Sequence, residues 1–275
     1  MSSSQKIAAF LVGINRYPDH PLRGCTADTG ALYEWLARNR GLKPDSTQIL
    51  FDGAATRANI LRRLDWLSKQ RVDVAIFAFS GHGTRVQDLD ADETTGFDQA
   101  IVPVDYDRAG LILDDDLRRA YDAFPATTRL IVHLDSCYSD RADRGLIAAA
   151  KDYLKRRTPR FLPPELVSGE ALAQTYQTRR WRGFGPQERD AVSKRILSLA
   201  GCRDFETSAD AWFGQKVGYR GAFTHHLLRA QQILGAKADT LAIIEETRRT
   251  LAAGKFSQVP QLSGPPEWMR RPLFS

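Results

Sequence analysis

Four apolar runs punctuate the chain, and each stops at a cluster of small or polar residues. They are Ile7 to Gly13, Val72 to Phe79, Arg129 to Leu134 and Arg195 to Ala200. Runs of this length, bounded by Gly, Ser and Asp, suit strands buried on both faces. Segments with helical periodicity lie between them. Ala27 to Arg40 brings Ala31, Leu32, Trp35 and Leu36 to one side, and Ile60, Leu61, Leu64 and Leu67 follow Thr56, a residue able to cap a helix. Gln48 to Phe51 adds a shorter strand, closed by Asp52-Gly53. Strands alternating with helices predict an α/β fold, a three-layer sandwich with a mainly parallel central sheet flanked by helices.

In such sheets, active groups gather beyond the carboxyl ends of the strands. The second run ends at Ser80-Gly81-His82-Gly83 and the third at Asp135-Ser136-Cys137-Tyr138-Ser139, so His82 and Cys137 are expected at the same sheet edge. Their chemistry is complementary. A cysteine attacks as its thiolate, and a nearby imidazole can take the thiol proton and return it to a leaving amine. The tetrahedral intermediate also needs donors for its oxyanion. Gly83, which has no side chain to obstruct approach, and Cys137 can supply two backbone N–H groups. The other cysteines, Cys25 and Cys202, suit the role of small buried hydrophobes. His20, His133, His225 and His226 lack the Gly-His-Gly setting. His133 lies within a strand run and reads as structural, and His225 and His226 read as packing or surface residues of a helix.

Composition narrows the classes. A chain of 275 residues, 43% hydrophobic, can bury one large core. No apolar run approaches the ~20 residues that cross a bilayer. The short polar start and an apolar stretch too brief for a signal peptide predict a cytoplasmic protein with no membrane partner. Three cysteines and no CxxC pair argue against a disulfide framework and a structural zinc site. The net charge of +6 and a pI near 9.3 leave a basic nucleic-acid-binding protein as an alternative, although the excess is mostly dispersed. One concentration exists at residues 151–194, where Lys151, Lys155, Arg156, Arg157, Arg160, Arg179, Arg180, Arg182, Arg189 and Lys194 alternate with prolines. It is either a solvated helical insertion around Leu166, Leu172, Ala173 and Tyr176, or an exposed linker. The expected layout is a larger half over 1–150, the basic linker or insertion over 151–190 and a smaller half over 191–275. Together they would form one compact, monomeric domain.

The Ser80-Gly81-His82-Gly83 and Asp135-Ser136-Cys137-Tyr138-Ser139 motifs resemble the catalytic pair of the metacaspases, including their prokaryotic relatives, within the caspase–hemoglobinase fold. His82 and Cys137 lie 55 residues apart, close to the ~50 of caspases. Further fragments resemble the family in the same order: Leu11-Val12-Gly13-Ile14-Asn15, Leu22-Arg23-Gly24-Cys25-Thr26-Ala27-Asp28, Gln99 to Asp105, Gly201-Cys202-Arg203-Asp204 and Pro260-Gln261-Leu262-Ser263. The resemblance implies a caspase-like fold. It also implies a cysteine endopeptidase that cuts protein substrates after Arg or Lys through a thioester acyl-enzyme.

By the same resemblance, Asp28, Ser80 and Asp135 line the primary pocket, and carboxylates are suited to a guanidinium. Asp28 alone also reads as an acid favoured at a helix start. The family's calcium site implies Ca2+ on Asp98, Asp114, Asp115 and Asp143, an oxygen-rich set. Asp88, Asp90, Asp92 and Glu93 resemble an EF-hand opening, but the loop lacks that motif's glycine and closing glutamate. This chain departs from the family at Asp140, where glycine is usual, and in its long arginine-rich linker. An enzyme that reads arginine would find candidate processing sites at Arg156, Arg157, Arg179, Arg180 and Arg182. The chain would then be a zymogen switched on by its own cut or by an activating protease. Relatives act in stress- or defence-linked programmed cell death, but the residues assign no pathway. A catalytically inactive scaffold of the same fold, binding partners only, is the other alternative.

Overall fold

A computed structural model of the chain describes residues 5–88, 96–138, 157–178, 196–203 and 206–275. In chain order its strands are β1 (Ile7–Gly13), β2 (Thr47–Phe51), β3 (Val74–Ser80), β4 (Gly83–Gln87), β5 (Phe97–Ile101), β6 (Ile112–Leu113), β7 (Arg129–Asp135), β8 (Arg157–Pro159), β9 (Ile196–Ala200), β10 (Ala209–Trp212), β11 (Tyr219–Gly221) and β12 (Gln261–Ser263). Six of them form the central sheet, in the order β12-β9-β7-β3-β1-β2. Every pairing in it is parallel except that of β12 with β9.

β1, and β3 up to Ser80, are apolar because both of their faces are covered. Along β1, Ala8, Phe10 and Val12 enter one core while Ile7, Ala9 and Leu11 enter the other. Along β3, Ala75, Phe77 and Phe79 alternate in the same way with Val74, Ile76 and Ala78. The helix Arg57–Ser68 covers the first face with Ile60, Leu64 and Leu67. Thr56 caps it, accepting a hydrogen bond from the Asn59 N–H at 3.2 Å. The second face packs against Leu32, Trp35 and Leu36 of the helix Cys25–Arg40. It also packs against Phe223 and Leu227 of Ala222–Leu234, and Ile243 and Ile244 of Thr240–Ala253. This is the expected caspase-like sandwich. No described helix is long and apolar enough to cross a membrane.

The strand runs correspond to β1, β3, β7 and β9 with ends shifted by two residues at most. Two small antiparallel sheets were not expected: β4-β5-β6, and β11-β10-β8. Their strands are short and lack an uninterrupted apolar run. The second takes Arg157–Pro159 out of the basic segment and pairs it with β10. The described part of that segment also holds the helix Gly169–Thr178, which includes Leu172, Ala173 and Tyr176. The segment's borders near 150 and 190, with Arg156, Arg179, Arg180 and Arg182, lie outside the described residues.

Candidate active site

Parallel pairing of β3 with β7 puts Ser80 beside Asp135. Two residues beyond the strand ends come His82 and Cys137, so the register brings imidazole and thiol to one edge of the sheet. Tight approach follows from Gly83: a side chain there would collide with the Cys137 carbonyl. The His82 Nε2–H donates to the His20 carbonyl at 2.7 Å. A carbonyl can only accept, so this bond fixes the tautomer and leaves Nδ1 as the basic nitrogen. Nδ1 is buried and has no hydrogen-bond partner among the described residues. Tyr17 braces the ring from the other side. Its hydroxyl accepts from the His82 backbone N–H at 3.0 Å and donates to the Val102 carbonyl at 2.9 Å, and its ring lies 4.6 Å from the imidazole.

Both groups are held neutral. Burial lowers the His82 pKa to about 4. Burial and the neighbouring Cys202 raise that of the fully buried Cys137 thiol well above its ordinary value. The thiol donates to the Ser208 carbonyl at 3.3 Å and accepts from the Ser208 N–H. Cys202 packs beside it with Phe161, and Cys25 lies in the main core. All three cysteines are free and buried.

The space next to this pair is filled by the chain itself. Arg160 has no exposed surface, and its guanidinium meets three carboxylates: Asp28 at 2.6 Å, Asp135 at 3.0 Å and Asp210 at 3.0 Å. It also donates to the Ser80 hydroxyl at 2.7 Å. The Arg160 carbonyl accepts from the Gly83 N–H at 3.0 Å and the Cys137 N–H at 3.2 Å, and its own N–H donates to the Ser208 carbonyl at 3.0 Å. The sequence-derived pocket residues Asp28, Ser80 and Asp135 and the sequence-derived oxyanion donors are therefore brought together by one residue.

A buried guanidinium is tolerable only when its charge and donors are matched. Burial works against the Arg160 charge, but Asp135, Asp28 and Asp210 outweigh it and raise its pKa. Burial works against the Asp135 carboxylate too. Arg160, Thr224 and Ser208 overcome it, and the Asp135 pKa falls below the ordinary value. Asp28 goes the other way, raised by burial to about 7 although Arg160 opposes the shift. It sits in the first turn of its helix but is buried against Arg160 and the Gly221 N–H, not exposed to greet a helix dipole.

Asp210, on β10, is the pocket residue with no signal in the sequence. It comes from a short strand, and it is fixed by the Arg23 and Gly24 N–H groups nearly 190 positions earlier.

The calcium expectation falls on the β4-β5-β6 sheet and on the helix that follows β6. Asp98 on β5 and Asp115 in the helix Asp114–Asp122 are both buried. Asp114 and Asp115 pair with Arg118 at 3.0 and 3.3 Å. Asp143 lies outside the described residues, and among those described no three His, Cys, Asp or Glu converge as a metal ligand set. The remaining histidines pack as expected: His133 stacks on Phe223 and bonds Thr224, and His225 and His226 pack around Phe213.

A family model described as Caspase domain matches residues 6–266. Metacaspase-1 of Yarrowia lipolytica is 34% identical over 94% of this chain and 62% of its own length. Metacaspase-1B of Aspergillus oryzae is 33% identical over 93% of this chain and 67% of its length. The chain thus spans roughly two thirds of the curated relatives it matches. Among solved structures, a Geobacter sulfurreducens protein superposes with a TM-score of 0.74 at 24% identity, covering 98% of both chains. Caspase-1 from Spodoptera frugiperda superposes with a TM-score of 0.59 at 14% identity, covering 95% of this chain and 87% of its own. The match of the family model over nearly the whole chain, with an imidazole and a thiol at the carboxyl edge of a caspase-like sheet, places this chain in the caspase-domain family.

Proposed function

We propose that the chain is a cysteine endopeptidase that cuts after arginine or lysine, held inactive by its own Arg160. The observation that carries this reading is the double engagement of Arg160. Its side chain fills a pocket of three carboxylates while its carbonyl sits between the Gly83 and Cys137 N–H groups, as the residue before a scissile bond would.

With a substrate in that position, His82 Nδ1 takes the Cys137 proton and the thiolate forms a bond to the carbonyl carbon. The two N–H groups hold the oxyanion. Collapse expels the amine, which takes the proton from His82, and leaves a thioester that water hydrolyses. Two terminal guanidinium nitrogens meeting four side chains favour Arg over Lys, whose single ammonium engages fewer of them at once.

The same contacts make Arg160–Phe161 the bond we expect to be cut in the linker. Arg156, Arg157, Arg179, Arg180 and Arg182 stay beside it as candidate processing sites to be tested. Calcium on Asp98, Asp114, Asp115 and Asp143 is retained as an activator to be tested. A second reading, an inactive scaffold, draws on the filled cleft and the protonated, buried Cys137.

Fluorogenic peptides ending in Arg, Lys or Asp separate the two readings, assayed with and without millimolar calcium beside Cys137→Ala. Expected is cleavage in the order Arg, Lys, then none for Asp, abolished by the substitution. Binding without turnover, in intact and linker-cut chain alike, would favour the scaffold.

A further inference from the structure

If Arg160 occupies the position of a substrate residue, the residues before it mark where the rest of a substrate runs; the inference here rests on that reading. Strand β8 lies antiparallel to β10, with Pro159 opposite Ala209, Thr158 opposite Asp210 and Arg157 opposite Ala211. Main-chain pairing of this kind is independent of side-chain identity, so any peptide with an arginine in the carboxylate pocket inherits the register. Its fourth residue, counting back from the scissile bond, then falls where Arg157 falls.

That position is built for a cation. The Arg157 guanidinium lies 3.8 Å from the centre of the Phe256 ring. Its two terminal nitrogens donate to the Lys255 carbonyl at 2.9 Å and the Gly254 carbonyl at 3.0 Å. Both carbonyls lie just beyond the C-terminal end of the helix Thr240–Ala253, where the helix dipole adds negative potential. Lys255 turns its backbone through a left-handed conformation, with φ of 57°, unusual for a residue with a side chain. Phe256 is itself braced by Phe213, with ring centres 5.9 Å apart, and by His226 at 5.6 Å. The aromatic face and the two carbonyls are thus fixed by the fold independently of the linker.

We infer that Phe256 with the Gly254 and Lys255 carbonyls forms a second cation subsite, so that the preferred substrates are peptides of the form Arg-x-x-Arg, cut after the second arginine. Ring and carbonyl contacts discriminate by charge and planarity, so arginine is preferred to alanine there, and glutamate is disfavoured by the same carbonyls.

The test uses the full chain, with its linker intact and with it cut. Its substrates are coumarin amides of Arg-Thr-Pro-Arg, Ala-Thr-Pro-Arg and Glu-Thr-Pro-Arg. Expected is a kcat/KM about tenfold higher for the first than the second, with the third lowest, the gain coming from cation–π and charge-assisted contacts. In Phe256→Leu the ratio of the first to the second should fall toward one. Equal rates for all three peptides would overturn the subsite while leaving cleavage after arginine intact.

If no arginine peptide is cut, the peptidase reading fails instead, and the subsite is decided by hydrogen exchange in the Cys137→Ala chain. Arg157→Ala there should speed exchange of the Arg160 and Leu162 amides by about tenfold, since a lost charge-assisted contact frees the strand. Unchanged exchange would overturn the proposal.

Discussion

Arg160 carries a permanent charge into a space with no exposed surface, and three carboxylates and a hydroxyl answer it. Of the four, Asp210 is the one the sequence does not announce. Its contact with Arg160 at 3.0 Å would, on the proposed function, give it a direct share in reading a substrate arginine. Asp210→Asn keeps the shape and one acceptor but removes the charge. Hydrogen bonds to charged groups contribute about 1.5–3 kcal/mol, so kcat/KM for arginine peptides should fall roughly ten- to a hundredfold. The Lys peptide should lose less. Steady-state kinetics on the paired peptides measure both, and an undiminished preference for Arg would remove Asp210 from the pocket. The placement of His82 and Cys137 at one sheet edge, by contrast, was legible residue by residue. Gly-His-Gly and Asp-Ser-Cys each follow an apolar run, and a parallel sheet delivers such ends to one edge.

Among the elements, the central strands could be read because each holds a run of apolar residues that are almost all buried. β8 could not. It is three residues long, contains a proline and sits in a basic, proline-rich stretch, so its composition matches a linker. What makes it a strand is distant: the Ser208 carbonyl and β10 on one side, and the carboxylate pocket beyond. The strand is therefore expected to depend on Arg160. Arg160→Ala leaves Asp28, Asp135 and Asp210 facing one another without their counter-charge, and breaking a buried ion pair costs about 3–5 kcal/mol. Chemical denaturation should show a loss of that order, and limited proteolysis should find the linker opened. A variant as stable and as closed as the parent would mean that Arg160 does not hold the segment down.

For the whole molecule, burial of titratable groups sets the response to acid. His82, His133, His225 and His226 all have their pKa lowered by burial to about 4. Unfolded histidines titrate near 6.5, so between about pH 6.5 and 4 the unfolded chain binds more protons and the fold loses stability as pH falls. Asp28, raised to about 7, binds its proton more readily in the fold. Its contribution therefore has the opposite sign and favours the fold as pH falls from about 7 toward 4. Four histidines against one aspartate predict a net fall in the thermal midpoint from pH 6.5 to 4.5. A flat profile across that window would contradict the burial assigned to the four imidazoles. Asp28→Asn should steepen the fall, because it removes the compensating group.

On the proposed function, the chain holds its own Arg160 as a substrate would be held. Intact-mass and peptide-mass spectrometry of the purified full chain, incubated with and without calcium beside Cys137→Ala, tests it most directly. Expected is a cut between Arg160 and Phe161 that appears in the parent, never in the Cys137→Ala chain, and coincides with the onset of arginine-peptide hydrolysis. Full hydrolytic activity from a chain that remains intact, or whose only cuts fall at other arginines, would contradict it.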